Sequence, residues 1–217
     1  MMNNKLLKTA AKVAFLGVAF GLAGCAESAY FPDTIHNHYK APTSWTKVPG
    51  AENVTVTVAV QDHKKRHNEV SRSEDMIGIQ FAGVYLHIDK AFKAAMDTAL
   101  EKRGFKIGGS GTNVQVVVQH FYLPEEMGLS TITHKGHLDM LVSIPSVGYH
   151  QSVRINGFKQ DTGFTKQMTT LGAGRTASAN VLMAKGIDQA VNNPGFIAAL
   201  LKAGHAGVVV PRLSADG

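Results

Sequence analysis

The sequence predicts an α/β (α+β) domain: a small mixed or mostly antiparallel sheet of about four strands, with two main helices packed on one face. Three observations carry that expectation. Val54-Thr55-Val56-Thr57-Val58 alternates strictly and is all β-branched, the pattern of a strand with one polar face. Phe92, Ala95, Met96, Ala99 and Leu100 fall at i, i+3, i+4, i+7 and i+8, which makes one apolar helical face. Further strand-like runs and a second helical stripe follow, giving the order β-α-β-β-β-α.

Each element has its own signal. Residues 61–75 are charged and read as a loop, and Ile77-Gly78-Ile79-Gln80-Phe81 reads as a short strand. Asp89 is placed as the cap of the first helix. Lys102 and Arg103 suit its C-terminal dipole, and Gly104 supplies a left-handed stop. Phe105-Lys106-Ile107 is a short strand or strand start. Gly108-Gly109-Ser110-Gly111 is a connector, because a strand, Val114 to Gln119, follows it where a phosphate cradle needs a helix. Residues 124–129 read as a turn, 131–144 as a long strand, 145–148 as a second turn and 151–159 as another strand. The three strands 114–119, 131–144 and 151–159 form an antiparallel meander, closed by Asp161-Thr162-Gly163. A second helix from about Thr176 carries Ala179, Met183, Ile187, Ala190 and Val191 on one face. Asn193-Pro194 then caps a short helix that ends at Gly204.

The N-terminus directs the chain out of the cytoplasm. Lys5, Lys8 and Lys12 precede an apolar run from Val13 to Ala23, the layout of a secretory signal. The run is too short to span about 30 Å of hydrocarbon as a permanent helix. Leu22-Ala23-Gly24-Cys25 resembles the lipobox of bacterial lipoproteins. That resemblance implies cleavage between Gly24 and Cys25, a diacylglyceryl group on the Cys25 thiol and acylation of its new amine. Two or more acyl chains anchor stably where one binds marginally. Ala26, rather than Asp, follows the cysteine, which by the same resemblance favours the outer membrane over inner-membrane retention. The expected organisation is a cleaved signal over 1–24, a lipidated cysteine and proline-containing tether over 25–49, a periplasmic domain over 50–204 and a loose tail over 205–217. Tyr30, Phe31, Tyr39 and Trp45 in the tether are expected to dock on the domain.

Composition narrows the function. Cys25 is the one cysteine, so no intrachain disulfide forms and the fold rests on packing. The net charge of +6 includes three signal lysines; without them 19 Lys+Arg face 16 Asp+Glu, a net +3. Lys64-Lys65-Arg66-His67 is the one basic run, read as solvated loop, and a nucleic-acid site would need a larger patch with interleaved aromatics.

No catalytic or metal constellation emerges, and no cofactor is expected. Asp161-Thr162-Gly163 matches the aspartic-protease tripeptide, but that chemistry needs two such carboxylates. His134 and His137, three apart on a strand, point to opposite faces. With His120 and His150 they read as solvent-facing. Gly172, Gly174, Arg175 and Thr176 precede a helix and form a weak anion-binding pattern.

With the lipobox, the order of elements resembles the YajG-type lipoproteins of Gram-negative bacteria. The resemblance rests on Val54 to Val58, Ala99-Leu100-Glu101-Lys102-Arg103-Gly104-Phe105, Val114 to Gln119, His137-Leu138-Asp139-Met140, Ala179-Asn180 and Ile187-Asp188-Gln189-Ala190-Val191. It covers about residues 50–203 and implies a small α/β sandwich without established catalytic residues. The expected function is a non-enzymatic, outer-membrane-anchored accessory module for a protein partner in the envelope, held to the membrane by the lipid on Cys25. The alternatives are an auxiliary lipoprotein of a lipid-transport ABC system and, third, a periplasmic hydrolase.

Overall fold

The computed structural model describes residues 33–36, 38–74, 80–127, 130–163 and 173–206. The signal, Cys25, Ile77 to Ile79, Gly172 and the tail beyond 206 lie outside them. Nine strands are described: β1 Asp33–Thr34, β2 Thr55–Asp62, β3 Glu69–Glu74, β4 Gln80–Tyr85, β5 Lys106–Ile107, β6 Thr112–Tyr122, β7 Glu125–Met127, β8 Thr131–Ile144 and β9 Tyr149–Gly163. Three helices accompany them: α1 Ile88–Lys102, α2 Ala173–Val191 and α3 Pro194–Ala206.

The sheet is larger than the four strands expected, and it is partly parallel. β8 pairs antiparallel with β9 on one side. On its other side the sheet divides. One branch runs from β6 through β2 to β5, with both β2 pairings parallel. The other runs from β7 through β3 and β4 to β1. The meander of β6, β8 and β9 is as the alternation requires. The parallel β2–β6 pair follows because α1 carries the chain across between them, as a βαβ crossover must.

Two strands arise where a loop and a turn were expected. In β3 a single apolar residue, Val70, is buried, so its charged neighbours hide the period. Hydrogen bonding holds it instead: Leu123 N–H donates to Val70 O at 2.7 Å, and Ser71 Oγ donates to Leu123 O at 2.5 Å. β7 spans part of the stretch read as a turn.

The core lies between the sheet and the helices. Along β8, Ile132, His134, Gly136, Leu138, Met140, Val142 and Ile144 are all buried, every second residue from 132 to 144. α1 buries Phe92, Ala95, Met96, Ala99 and Leu100, the stripe the spacing requires. Phe92 meets Phe121 edge-on, ring centroids 5.3 Å apart, a contact worth about 0.5–1.5 kcal/mol beyond area. The cap of α1 is His87 rather than Asp89, which sits in the first turn. Asn68, at φ 59°, accepts the Ile88 N–H through Oδ1 at 3.2 Å, so the β2–β3 loop secures the start of α1. Gly104 takes φ +100° just beyond the helix, where a side chain is strained.

Helix α2 lies close on β8. A Cβ at Gly136 would come within 2.7 Å of Phe158 Cδ1 and 2.9 Å of Leu182 Cδ2, so only glycine admits both side chains there.

The described part of the expected tether, 33–36 and 38–49, lies against the domain. Thr34 pairs with Tyr85, and Ile35 and Val48 are buried. Tyr39 and Trp45 pack on the core, as expected for docking aromatics; Tyr30 and Phe31 lie outside the described residues. Tyr39 Oη donates to Asp188 Oδ1 at 2.8 Å, His38 N–H donates to Asn180 Oδ1 at 2.7 Å, and the Arg103 guanidinium sits 5.9 Å from the Trp45 ring centre.

Candidate functional site

The face of the sheet away from the helices carries a groove, and two bulges shape it. Between Val118↔Met140 and His120↔Asp139, β6 advances one residue more than β8. Between Gly136↔Phe158 and Leu138↔Ile155, β9 gains one residue over β8, and Gly157 there takes φ +67°. An extra residue bends and twists its strand, so the flanks of β8 crease, on one side opposite Asp139 and Met140 and on the other opposite His137. The crease sets His120 and His137 edge-to-face, ring centroids 4.7 Å apart.

Two cavities of about 450 Å³ each open at this crease and share His120 and Tyr122. One is walled by Lys135, His137, Phe158 and Lys159. The other is walled by Lys64, Lys65, Arg66 and Glu69. Five cations and one carboxylate therefore line the pair.

The basic run is an ordered loop, not only a solvated one. Asp62 accepts the Lys64 N–H at 3.0 Å and the Asn68 N–H at 2.8 Å, closing the loop from both ends. Lys64 is buried, its Nζ donating to Glu69 O at 2.8 Å and to Arg66 O at 3.3 Å. Burial pulls its pKa below the usual lysine value, against the charges of Asp62 and Glu69. Glu69 holds Arg66 at 3.0 Å on one oxygen and Arg72 at 3.1 Å on the other. Lys65 is exposed and has no ion pair among the described residues. Burial first, then the charges of His137 and Lys64, lower the pKa of His120. Burial and Glu69 raise that of Tyr122. The groove thus presents neutral His120 and a neutral phenol beside fixed cations.

Beneath the crease lies a second polar cluster that sequence reasoning missed. Glu125, buried in β7, accepts Arg175 Nε at 2.5 Å and Nη2 at 2.8 Å, a bidentate pair. His134, also fully buried, places Nδ1 3.3 Å from Glu125 Oε1. His134 is therefore not solvent-facing as expected. The signal was present: it falls on the alternating buried side of β8. Its partners were hidden, because Glu125 was read as turn and Arg175 as part of an anion site. Arg175 is committed to Glu125.

Among the other residues singled out, His134 and His137 do face opposite sides of the sheet. His150 is exposed in β9, opposite Ser143, away from the crease. Asp161 lies near the end of β9, accepting the Thr133 hydroxyl at 2.7 Å, with Lys159 3.6 Å away. That hydroxyl and the lysine hold its pKa below the usual carboxylate value. The tripeptide secures the end of a strand pair. Among the described residues no three His, Cys, Asp or Glu side chains gather as a metal would need, and no helix is long and apolar enough to cross a membrane.

No curated protein matches the chain. A crystal structure of an uncharacterized protein aligns with TM-score 0.34 and 11% identity, covering 72% of this chain and 99% of the other. A minor lipoprotein from Acinetobacter baumannii aligns with TM-score 0.37 and 6% identity, covering 65% and 92%. A putative neuraminyllactose-binding hemagglutinin homolog from Helicobacter pylori aligns with TM-score 0.32 and 9% identity, covering 77% and 99%. One family, described as uncharacterized lipoprotein, matches residues 42–200, from the segment before β2 to the middle of α3. By that match, over most of its length, the chain belongs to the YajG-type family of uncharacterized lipoproteins.

Proposed function

We infer that the protein is a lipid-anchored, non-enzymatic module of the cell envelope, fixed through Cys25 to the periplasmic side of the outer membrane. The observation that carries this reading is the docked segment described over 33–36 and 38–49. It lies along α2 and pairs with β4, so an anchor at Cys25 holds the domain by one defined edge. The side of the sheet that bears the groove stays uncovered by helices and free to meet a partner. Membership of a lipoprotein family and the lipobox-like Leu22-Ala23-Gly24-Cys25 support the anchor. The transport-auxiliary reading would gain from a closed apolar cavity; the two cavities at the crease are open and cation-rimmed instead.

The test is metabolic labelling with a palmitate analogue, followed by separation of inner and outer membranes. Wild type should carry the label and sediment with the outer membrane, and Cys25→Ser should lose both. Label retained by Cys25→Ser would overturn the anchor. Labelled wild type in the inner membrane would overturn the location.

A further inference from the structure

The groove and the point where the anchor leaves the domain are neighbours. Thr34 pairs with Tyr85, and Tyr85 pairs with Glu69, so the three lie in one row across adjacent strands. At about 4.8 Å per strand, Thr34 is about 10 Å from Glu69, which lines the groove beside Lys65 and Arg66. Cys25 precedes Asp33 by eight residues. Even fully extended, that length reaches at most about 28 Å. The full 24-residue tether expected from sequence would reach far beyond this.

We propose that the cationic loop 64–66 and the groove it borders are a docking surface for the anionic phospholipid headgroups of the membrane that holds the anchor. Charge supports this occupant. Lys65 is exposed without an ion pair among the described residues, and Arg66 is 58% exposed beside it. Lys135 and Lys159, on the far wall, are 52% and 60% exposed, in ion pairs that water screens. His120 and His137 have no hydrogen bond or ion pair among the described residues, so their ring N–H groups are available to phosphate oxygens. The short leash supplies the rest. It keeps this surface at a high effective concentration of headgroups, and basic residues near an anionic leaflet are each favourable. The cation-rich walls disfavour a metal ion at the histidine pair.

The proposal rests on the anchor reading, and the experiment separates the two. The mature chain from residue 25, with Cys25→Ser, carries no lipid. It keeps every described contact, since the described fold begins at Asp33. Its co-sedimentation is measured with vesicles of phosphatidylcholine alone and of phosphatidylcholine mixed with phosphatidylglycerol. Binding is expected only to the mixed vesicles and should weaken as salt rises. Lys65→Glu with Arg66→Glu should lower it at least about tenfold. Lys65→Glu alone, which disturbs no described ion pair, should lower it severalfold with unchanged circular dichroism. Lys93→Glu makes the same charge change on the outer side of α1, where Lys93 pairs with Asp97, and should leave binding within about twofold. Equal binding to both vesicle types, or equal loss from Lys65→Glu and Lys93→Glu, overturns the proposal. Binding to soluble anionic glycans but not to vesicles also overturns it. If the palmitate test fails while headgroup binding holds, the anchor alone is wrong; the reverse pattern removes the docking surface alone.

Discussion

The two faces of β8 obey different rules. Its helix side is filled by alternating apolar residues, with one glycine where α2 comes closest and one polar cluster sealed among them. Its other side is open, creased by two bulges and lined by cations, most of them exposed. The same strand therefore serves packing with one set of side chains and presents chemistry with the other. On the helix side a residue's value lies in fit. On the open side, stability barely registers a change that recognition would feel.

Substitutions can break or sharpen this contrast. Removing Glu125 should have the largest effect. Glu125→Ala leaves fully buried His134 and half-buried Arg175 without their carboxylate, and about 3–5 kcal/mol should be lost in urea unfolding. A loss below about 1 kcal/mol would mean that the sealed cluster is no part of what holds the face. Next comes Gly136→Ala, whose Cβ meets Phe158 and Leu182; thermal unfolding should show a cost of about 1–3 kcal/mol. Tyr39→Phe, which removes one partly buried hydrogen bond to Asp188, should cost about 0.5–1.5 kcal/mol.

The same pair has a pH signature. Burial raises the Asp188 pKa above 3.8, while the Tyr39 hydroxyl pulls it down. A carboxyl whose folded value is raised stabilises most below its unfolded value, and that contribution is lost as pH rises through the folded value. Wild type should therefore gain on Asp188→Asn as pH falls towards 4, and the ordering of their melting temperatures across pH checks it. The smallest effects belong to the open face: Lys135→Ala and Lys159→Ala should stay within about 0.5 kcal/mol of wild type.

The sequence made legible what depends on period. β2, β6, β8, β9 and the stripes of α1 and α2 all follow from spacing, and so does the opposite facing of His134 and His137. Elements held by hydrogen bonds between distant segments stayed hidden. β3 offers one buried apolar residue, and its register is fixed by Leu123, which no local pattern reveals. The parallel pairing of β2 and β6 depends on where α1 sends the chain. The groove needed two bulges, each a single extra residue that leaves the alternation nearly intact. Gly157 hints at one of them, and nothing in the residue types marks the other at Gln119. The basic run was visible, but its ordering by the side chain of Asp62 and the buried amine of Lys64 was not.

The strap formed by residues 33–36 and 38–49 has a consequence for the order of assembly. Its hydrogen bonds reach Asn180 and Asp188, 142 and 149 residues further along the chain. Closing so long a loop is entropically costly until other contacts shorten it. A chain that emerges amino end first cannot complete the strap until α2 has arrived and packed. The strap, with β1 in it, is then secured late, after the other strands of the sheet. On the anchored reading proposed above, Cys25 would ride on a longer, unfastened lead during that interval, open to modification, and folding afterwards would draw the domain in towards the bilayer.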